Sequence, residues 1–200
     1  MKILLILVGV IIAAFIIVQI FAMSSQRDIE TYPYEVVKTY DDFEIRNYEA
    51  SLFTSVTLST NEYKEASSRG FSILAGYIFG GNETQEKISM TSPVAMSLED
   101  SMTVMFMVPK KFNKDNLPRP DQSQIEFREE PAKTVAAITF GGWADKEKIE
   151  DYKSKLSKAL TAQGITYHNR FYFLGYNPPY EVLNRKNEVI VELKEKASME

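Results

Sequence analysis

The chain has 200 residues, 44% hydrophobic and 12% aromatic, enough for one packed domain and too apolar for a disordered segment. With 23 basic against 27 acidic residues its net charge is −4, and no Lys/Arg run or basic–aromatic stripe offers a nucleic-acid footprint. There is no cysteine and one histidine, His168, which excludes disulfides, thiolate nucleophiles, iron–sulfur clusters, cysteine-ligated zinc and any site needing two histidines.

Residues 3–23, ILLILVGVIIAAFIIVQIFAM, carry no charge and are long enough to cross a ~30 Å hydrocarbon core as a helix. Lys2 and the amino terminus precede the run, while Arg27, Asp28 and Glu30 follow it. The positive-inside rule then predicts a cytoplasmic N-terminus and an extracytoplasmic domain. Ala22-Met23-Ser24 offers the rival reading, a signal peptide cleaved at a small-x-small site. The run exceeds the usual h-region of ~7–15 residues, which favours an uncleaved anchor. Residues 1–24 are therefore expected to be a transmembrane anchor or signal segment, and 25–200 a single exported domain.

Strand-like alternation follows at 34–38, 43–48, 51–58 and, after a helical stretch, at 87–96 and 102–108. In that helical stretch Ser59 and Glu62 read as a capping box. Tyr63, Ala66, Ser67, Gly70, Phe71, Leu74, Tyr77 and Ile78 recur at helical spacing, and Gly80-Gly81 stops the helix. Past the loop 109–123 the pattern repeats: strand-like 124–129 and 133–140, then a helix, then strand-like 170–176 and 188–193. Asp145 can cap this second helix, Ile149, Tyr152, Leu156, Ala159 and Leu160 form its stripe, and Gly164 ends it.

The repetition extends to residues. Residues 43–59 align without gaps onto 125–141, with Glu44/Glu126, Arg46/Arg128, Ala50/Ala132 and Thr57/Thr139 identical. Two ββ-α-ββ halves predict an α+β domain, an antiparallel sheet closed or nearly closed by pseudo-twofold symmetry with two helices packed on it. Neither half has enough strands to bury its own helix, so the proline-bearing loop 109–123 is a connection within one domain.

Catalytic chemistry finds little to stand on. There is no G-x-S-x-G elbow, no P-loop and no G-x-G-x-x-G, and Asp41-Asp42 and Glu129-Glu130 read as solvated turn carboxylates. His168 is the strongest available axial ligand for a haem iron, but Thr166, Asn169 and Arg170 around it read as a solvated loop. Met90, Met96, Met102, Met105 and Met107 could be soft ligands; as filler of an irregular core they need no metal. Alternation in 102–108 places apolar side chains on both faces, so that strand is expected to be covered on both sides. Tyr167, Phe171, Tyr172, Phe173, Tyr176 and Tyr180 suit either core or a pocket for a flat apolar ligand.

Taken together, several segments resemble the SOUL haem-binding protein family. They are Tyr34-Glu35-Val36, Phe43-Glu44-Ile45-Arg46-Asn47-Tyr48, Tyr77-Ile78-Phe79-Gly80-Gly81-Asn82 and Lys87-Ile88-Ser89-Met90-Thr91-Ser92-Pro93-Val94. Near the end come Gly175-Tyr176-Asn177-Pro178-Pro179 and Asn184-Arg185-Lys186-Asn187-Glu188-Val189. The resemblance implies a distorted eight-stranded antiparallel β-barrel flanked by two helices, with haem or another tetrapyrrole in an apolar groove beside the first helix of the domain. Carried over by position, Ser68, Phe71, Leu74 and Ala75 would form the groove wall, and the loop after Pro178-Pro179 would close over it. Tyr176 would add a phenol, and Arg69, Arg185 and Lys186 would be the partners for propionates. Asn47 stands where some members have a proposed axial histidine, and Glu181 where some have a lysine. The expected protein is a membrane-anchored binding module, not an enzyme, holding haem without obligate retention and without a protein metal site. The alternatives are the same fold serving another small hydrophobic ligand, or a protein-interaction module without haem.

Overall fold

The computed structural model describes residues 2–25, 29–60, 62–99 and 101–194. The apolar run forms one helix, α1 (Lys2–Ser25). After it come β1 (Tyr34–Thr39), β2 (Glu44–Tyr48), β3 (Ser51–Leu58), α2 (Tyr63–Ile78), β4 (Val94–Ser97) and β5 (Met102–Met107). The second half contributes β6 (Glu126–Glu130), β7 (Lys133–Gly141), α3 (Lys146–Ala162), β8 (Tyr167–Gly175) and β9 (Lys186–Leu193).

Antiparallel pairing joins all nine strands into one sheet of order β1-β2-β7-β9-β8-β4-β5-β3-β6. Without β1, exchanging β2 with β6, β3 with β7, β4 with β8 and β5 with β9 reproduces the same order read backwards. The register obeys the same exchange: Arg46 lies opposite Val135 in β2–β7, and their aligned counterparts Arg128 and Phe53 lie opposite each other in β3–β6. The helices follow suit, α2 packing on β3 and β5, α3 on β7 and β9.

Two expectations need correcting. The sheet has nine strands, not eight, and it curls without closing into a barrel. The free edge of β2, which closure onto β6 would require, is already hydrogen-bonded to β1, a strand with no counterpart in the second half. Curling instead brings the sheet ends together around Tyr32, whose ring touches Tyr48 of β2 (centroids 4.4 Å apart) and Phe53 of β3 (5.1 Å). β4 is also shorter than its pattern, beginning only after Pro93, which has no N–H for a ladder.

Alternation sorts the core into two layers. Val56, Val104, Phe106, Ile138, Phe140, Phe171, Phe173, Val189 and Val191 face the helices. Tyr48, Phe53, Met105, Met107, Val135, Ala137, Tyr172, Leu174 and Ile190 face the inside of the curl. β5 is covered on both sides, as its two apolar faces predict, and Met96, Met102, Met105 and Met107 are all buried packing. α2 lies so close to β5 that a Cβ on Gly70 would come 2.5 Å from a Val104 methyl.

The helix ends are local chemistry. Asp145 accepts the N–H of Lys148 at 2.8 Å, the cap its position predicts. The capping box at Ser59 and Glu62 does not form; Thr60 Oγ1 accepts the Glu62 N–H (3.2 Å) and donates to Glu65 (3.1 Å). Gly80 leaves α2 at φ +111° and Gly164 leaves α3 at +64°, conformations that favour glycine.

Candidate functional site

The outward face of α2 carries the first group of site residues. Ser68, Arg69, Phe71, Ser72, Gly76 and Phe79 are exposed along it, with Ala75 buried at its floor and Leu74 fully buried in the core beneath. Phe71 and Phe79 are large apolar side chains left in solvent, eight residues and so ~12 Å apart along the helix. Only small side chains, Ser72, Ala75 and Gly76, lie between them, which leaves a flat, mostly apolar strip. Phe71 is braced from below by Phe106 (centroids 5.3 Å, edge-on). The connecting loop flanks the C-terminal half, where Tyr77 Oη donates to the Pro118 carbonyl at 2.7 Å.

Tyr176, Arg185 and Lys186 lie elsewhere, at the β8–β9 turn. Arg185 stacks on Trp143 (4.1 Å to the ring centroid) and donates to the carbonyls of Asn177, Pro178 and Glu181. Its guanidinium is thus the internal brace of the 177–184 turn. Glu181 in that turn is buried, while Tyr180, Val182 and Leu183 are exposed. Among the described residues no hydrogen bond or ion pair joins this group to Ser68, Arg69 or Phe71.

Tyr176 and Lys186 belong to a buried ionic cluster that sequence reasoning missed. Glu188 is completely buried in β9, and Arg46 of β2 grips it through two bonds, 2.9 and 3.0 Å. Tyr176 Oη donates at 2.6 Å, Thr139 Oγ1 at 3.0 Å, and Lys186 Nζ lies 3.1 Å away. Glu44 holds the Arg46 Nε at 2.8 Å, and the Tyr34 ring covers its guanidinium (4.3 Å). Burial alone would raise the Glu188 pKa. The two Arg46 bonds and charge, with Tyr176 and Lys186, outweigh it and hold the carboxyl below the ordinary range. Burial and the neighbouring carboxylate push the Tyr176 phenol far above its usual value, so it stays a donor. The signal was available: Glu188 sits in a strand whose neighbours Val189, Ile190 and Val191 are all apolar, and a charge there needs a partner.

His168 is exposed at the start of β8, away from any apolar enclosure. Asn47 is exposed on β2, its carboxamide accepting from Thr134 Oγ1 at 2.8 Å. It lines a concavity of about 500 Å³ with Tyr48, Lys133, Thr134, Glu192 and Lys194. A smaller one of about 210 Å³ lies between the helix starts, lined by Tyr63, Met102, Lys146, Ile149 and Lys153. Glu130, expected as a solvated turn carboxylate, is buried, because Lys133 (2.6 Å) and Arg128 both pair with it.

Residues 29–192 match the model of the family described as SOUL heme-binding protein, which takes in every strand and both helices of the domain. The chain belongs to the SOUL heme-binding protein family. Heme-binding protein 2 of Mus musculus is 29% identical over 167 residues, covering 79% of this chain and 81% of that protein. Heme-binding protein 1 of Xenopus laevis is 32% identical over 158 residues, 74% and 81% of the two chains. Among solved structures the EcmrR C-terminal domain superposes with a TM-score of 0.60 at 11% identity, over 80% of this chain and 98% of that one. That likeness is one of fold. In SOUL terms the Phe43–Tyr48 segment serves the interior through Arg46 and Tyr48, and places Asn47 on the outside.

Proposed function

We propose that this chain is a reversible binder of haem or another tetrapyrrole, seated on the outward face of α2, and that α1 anchors it to a membrane with the domain on the extracytoplasmic side. The observation that carries the ligand reading is the Phe71–Phe79 strip, two exposed aromatics around a floor of small side chains, in a chain of this family. Burial of a flat apolar ring system there draws on the hydrophobic effect, and Arg69 supplies a cation beside it for a carboxylate. α1 supports the anchor: its apolar window, Lys2–Gln19, has a mean hydropathy of 2.8 and is almost wholly exposed. The palindromic strand order and matched register support an origin of the domain by duplication of one ββ-α-ββ unit.

Ser68, Arg69, Phe71, Ser72 and Phe79 include no His, Cys or Met. This favours holding a porphyrin by its faces and carboxylates rather than by its metal, so metal-free protoporphyrin should bind about as well as haem. The test is a hemin titration of the full chain in lipid nanodiscs, read at the Soret band. A saturable 1:1 shift is expected, unchanged in His168→Ala and weakened roughly tenfold, ~1.4 kcal/mol, in Ser72→Glu, which puts a carboxylate in the middle of the strip. No saturable shift at micromolar protein overturns the haem reading. A shift lost only in His168→Ala moves the site to β8.

A further inference from the structure

The 177–184 turn has its polarity reversed for a surface loop. Its one charged side chain, Glu181, points inward and is 4% exposed, while Tyr180, Val182 and Leu183 are 52%, 42% and 52% exposed. It is not a slack loop either. Arg185 ties three of its carbonyls together, and Asn177 Oδ1 accepts the Lys186 N–H at 2.7 Å. Something other than internal packing must account for apolar side chains held outward on a braced frame.

α1 supplies the second observation. Gln19 is the one strongly polar side chain of its apolar run, and it is buried by this turn. Its Nε2 donates to the Tyr180 carbonyl and its Oε1 accepts the Val182 N–H, both at 3.0 Å. Gln19 lies six residues before the helix end at Ser25, so the turn reaches ~9 Å back along α1. A span beginning at Ile3 uses ~20 residues to cross the hydrocarbon, which leaves Gln19 inside its last turn. A carboxamide there has no water, and the two backbone groups of the turn satisfy it.

We infer that the 178–184 turn is a lipid-seated contact, with Tyr180, Val182 and Leu183 in the interfacial layer of the bilayer that α1 spans, and Gln19 as the clasp that holds it at that depth. The inference rests on the reading of α1 as a membrane span. The side-chain chemistry is that of an interface: a tyrosine with two exposed aliphatics, and an exposed Trp143 stacked on the Arg185 guanidinium that braces the turn. Turning Glu181 inward removes the one charge of the turn from the face that meets lipid. The domain is then docked onto the membrane by a second point besides its tether, which fixes which of its faces looks at the bilayer.

The chain has no cysteine, so single-cysteine variants report cleanly. Leu183→Cys and, separately, Ile11→Cys would carry an environment-sensitive fluorophore in the full chain, reconstituted into phosphatidylcholine vesicles with and without a spin label on the acyl chains. Both positions are exposed, so neither label disturbs packing. Quenching of both labels by the lipid-borne spin is expected, together with loss of quenching at 183, but not at 11, when Gln19→Leu is added. Quenching at 11 with none at 183 overturns the seated turn while leaving the span intact. Persistence of quenching at 183 in Gln19→Leu overturns the clasp. Absence of quenching at 11 removes the span, and the inference with it.

Discussion

Arg46 and Arg128 hold corresponding places in the two halves of the sheet, each two residues after a glutamate, yet one is buried in the Glu188 cluster and the other is partly in solvent. The difference comes from the next strand but one. Opposite Thr139 in β9 stands Glu188; opposite Thr57, the counterpart of Thr139, stands Thr103 in β5. The first threonine donates to a carboxylate, and the second shares a 2.9 Å hydroxyl bond with its neighbour. An arginine next to a buried carboxylate is drawn across the sheet. Arg128, with no carboxylate across the sheet, pairs with Glu130 on its own strand, the residue that replaces Tyr48 in the alignment. The same three-residue pattern thus serves as an interior cross-sheet clamp in one half and as a partly exposed pair within one strand in the other.

The largest way to break this contrast is Glu188→Ala, which takes from the buried Arg46 its two-bonded partner and leaves it Glu44 alone. We expect a loss of about 3–5 kcal/mol in chemical denaturation, with part of it recovered when Arg46→Met is added, since that removes the charge stranded in the interior. A loss below 1 kcal/mol, as ~1 kcal/mol is the ceiling for an exposed pair, would mean that the cluster is no clamp.

A pH series sharpens it. Because the folded-state pKa of Glu188 is depressed, its contribution is complete above the unfolded carboxylate value, ~4.3, and disappears as pH falls through the folded value. The stability gap between the native chain and Glu188→Gln should therefore be widest near neutrality and narrow in acid below the unfolded value. A gap independent of pH would show that the carboxyl is not held ionised by Arg46.

The smallest effect is expected at Arg128→Ala. Its side chain is 41% exposed, so solvent screens the pair with Glu130, which keeps Lys133, and the cost should not exceed ~1 kcal/mol. A cost equal to that of Glu188→Ala would erase the distinction between the halves.

Much of this was legible beforehand, for identifiable reasons. Period-two alternation depends only on the pleat, so β3, β5 and β7 stood out, β5 with both faces expected to be covered, and the stripe of α3 with its Asp145 cap is equally local. The site was legible in pieces. Phe71 and Ala75 lie on the α2 face where the family resemblance puts them, but the same resemblance groups them with Tyr176, Arg185 and Lys186. Those three are engaged in the Glu188 cluster and the turn brace. Neither engagement could be read from spacing, since Arg46 and Glu188 lie 142 residues apart.

By itself the sequence determined most of the elements, the apolar helix and the membership of the SOUL family, because these follow from periodicity, composition and local motifs. Only the tertiary structure decided that β1 blocks closure of the barrel by taking the edge of β2. It alone buried the arginine of one Glu-x-Arg motif against Glu188, left the other partly in solvent on the edge strand β6, and laid the 177–184 turn against Gln19. Each of these depends on which strands or segments become neighbours, and a neighbour across the sheet contributes charge, hydrogen bonds and excluded water that no local window of residues contains.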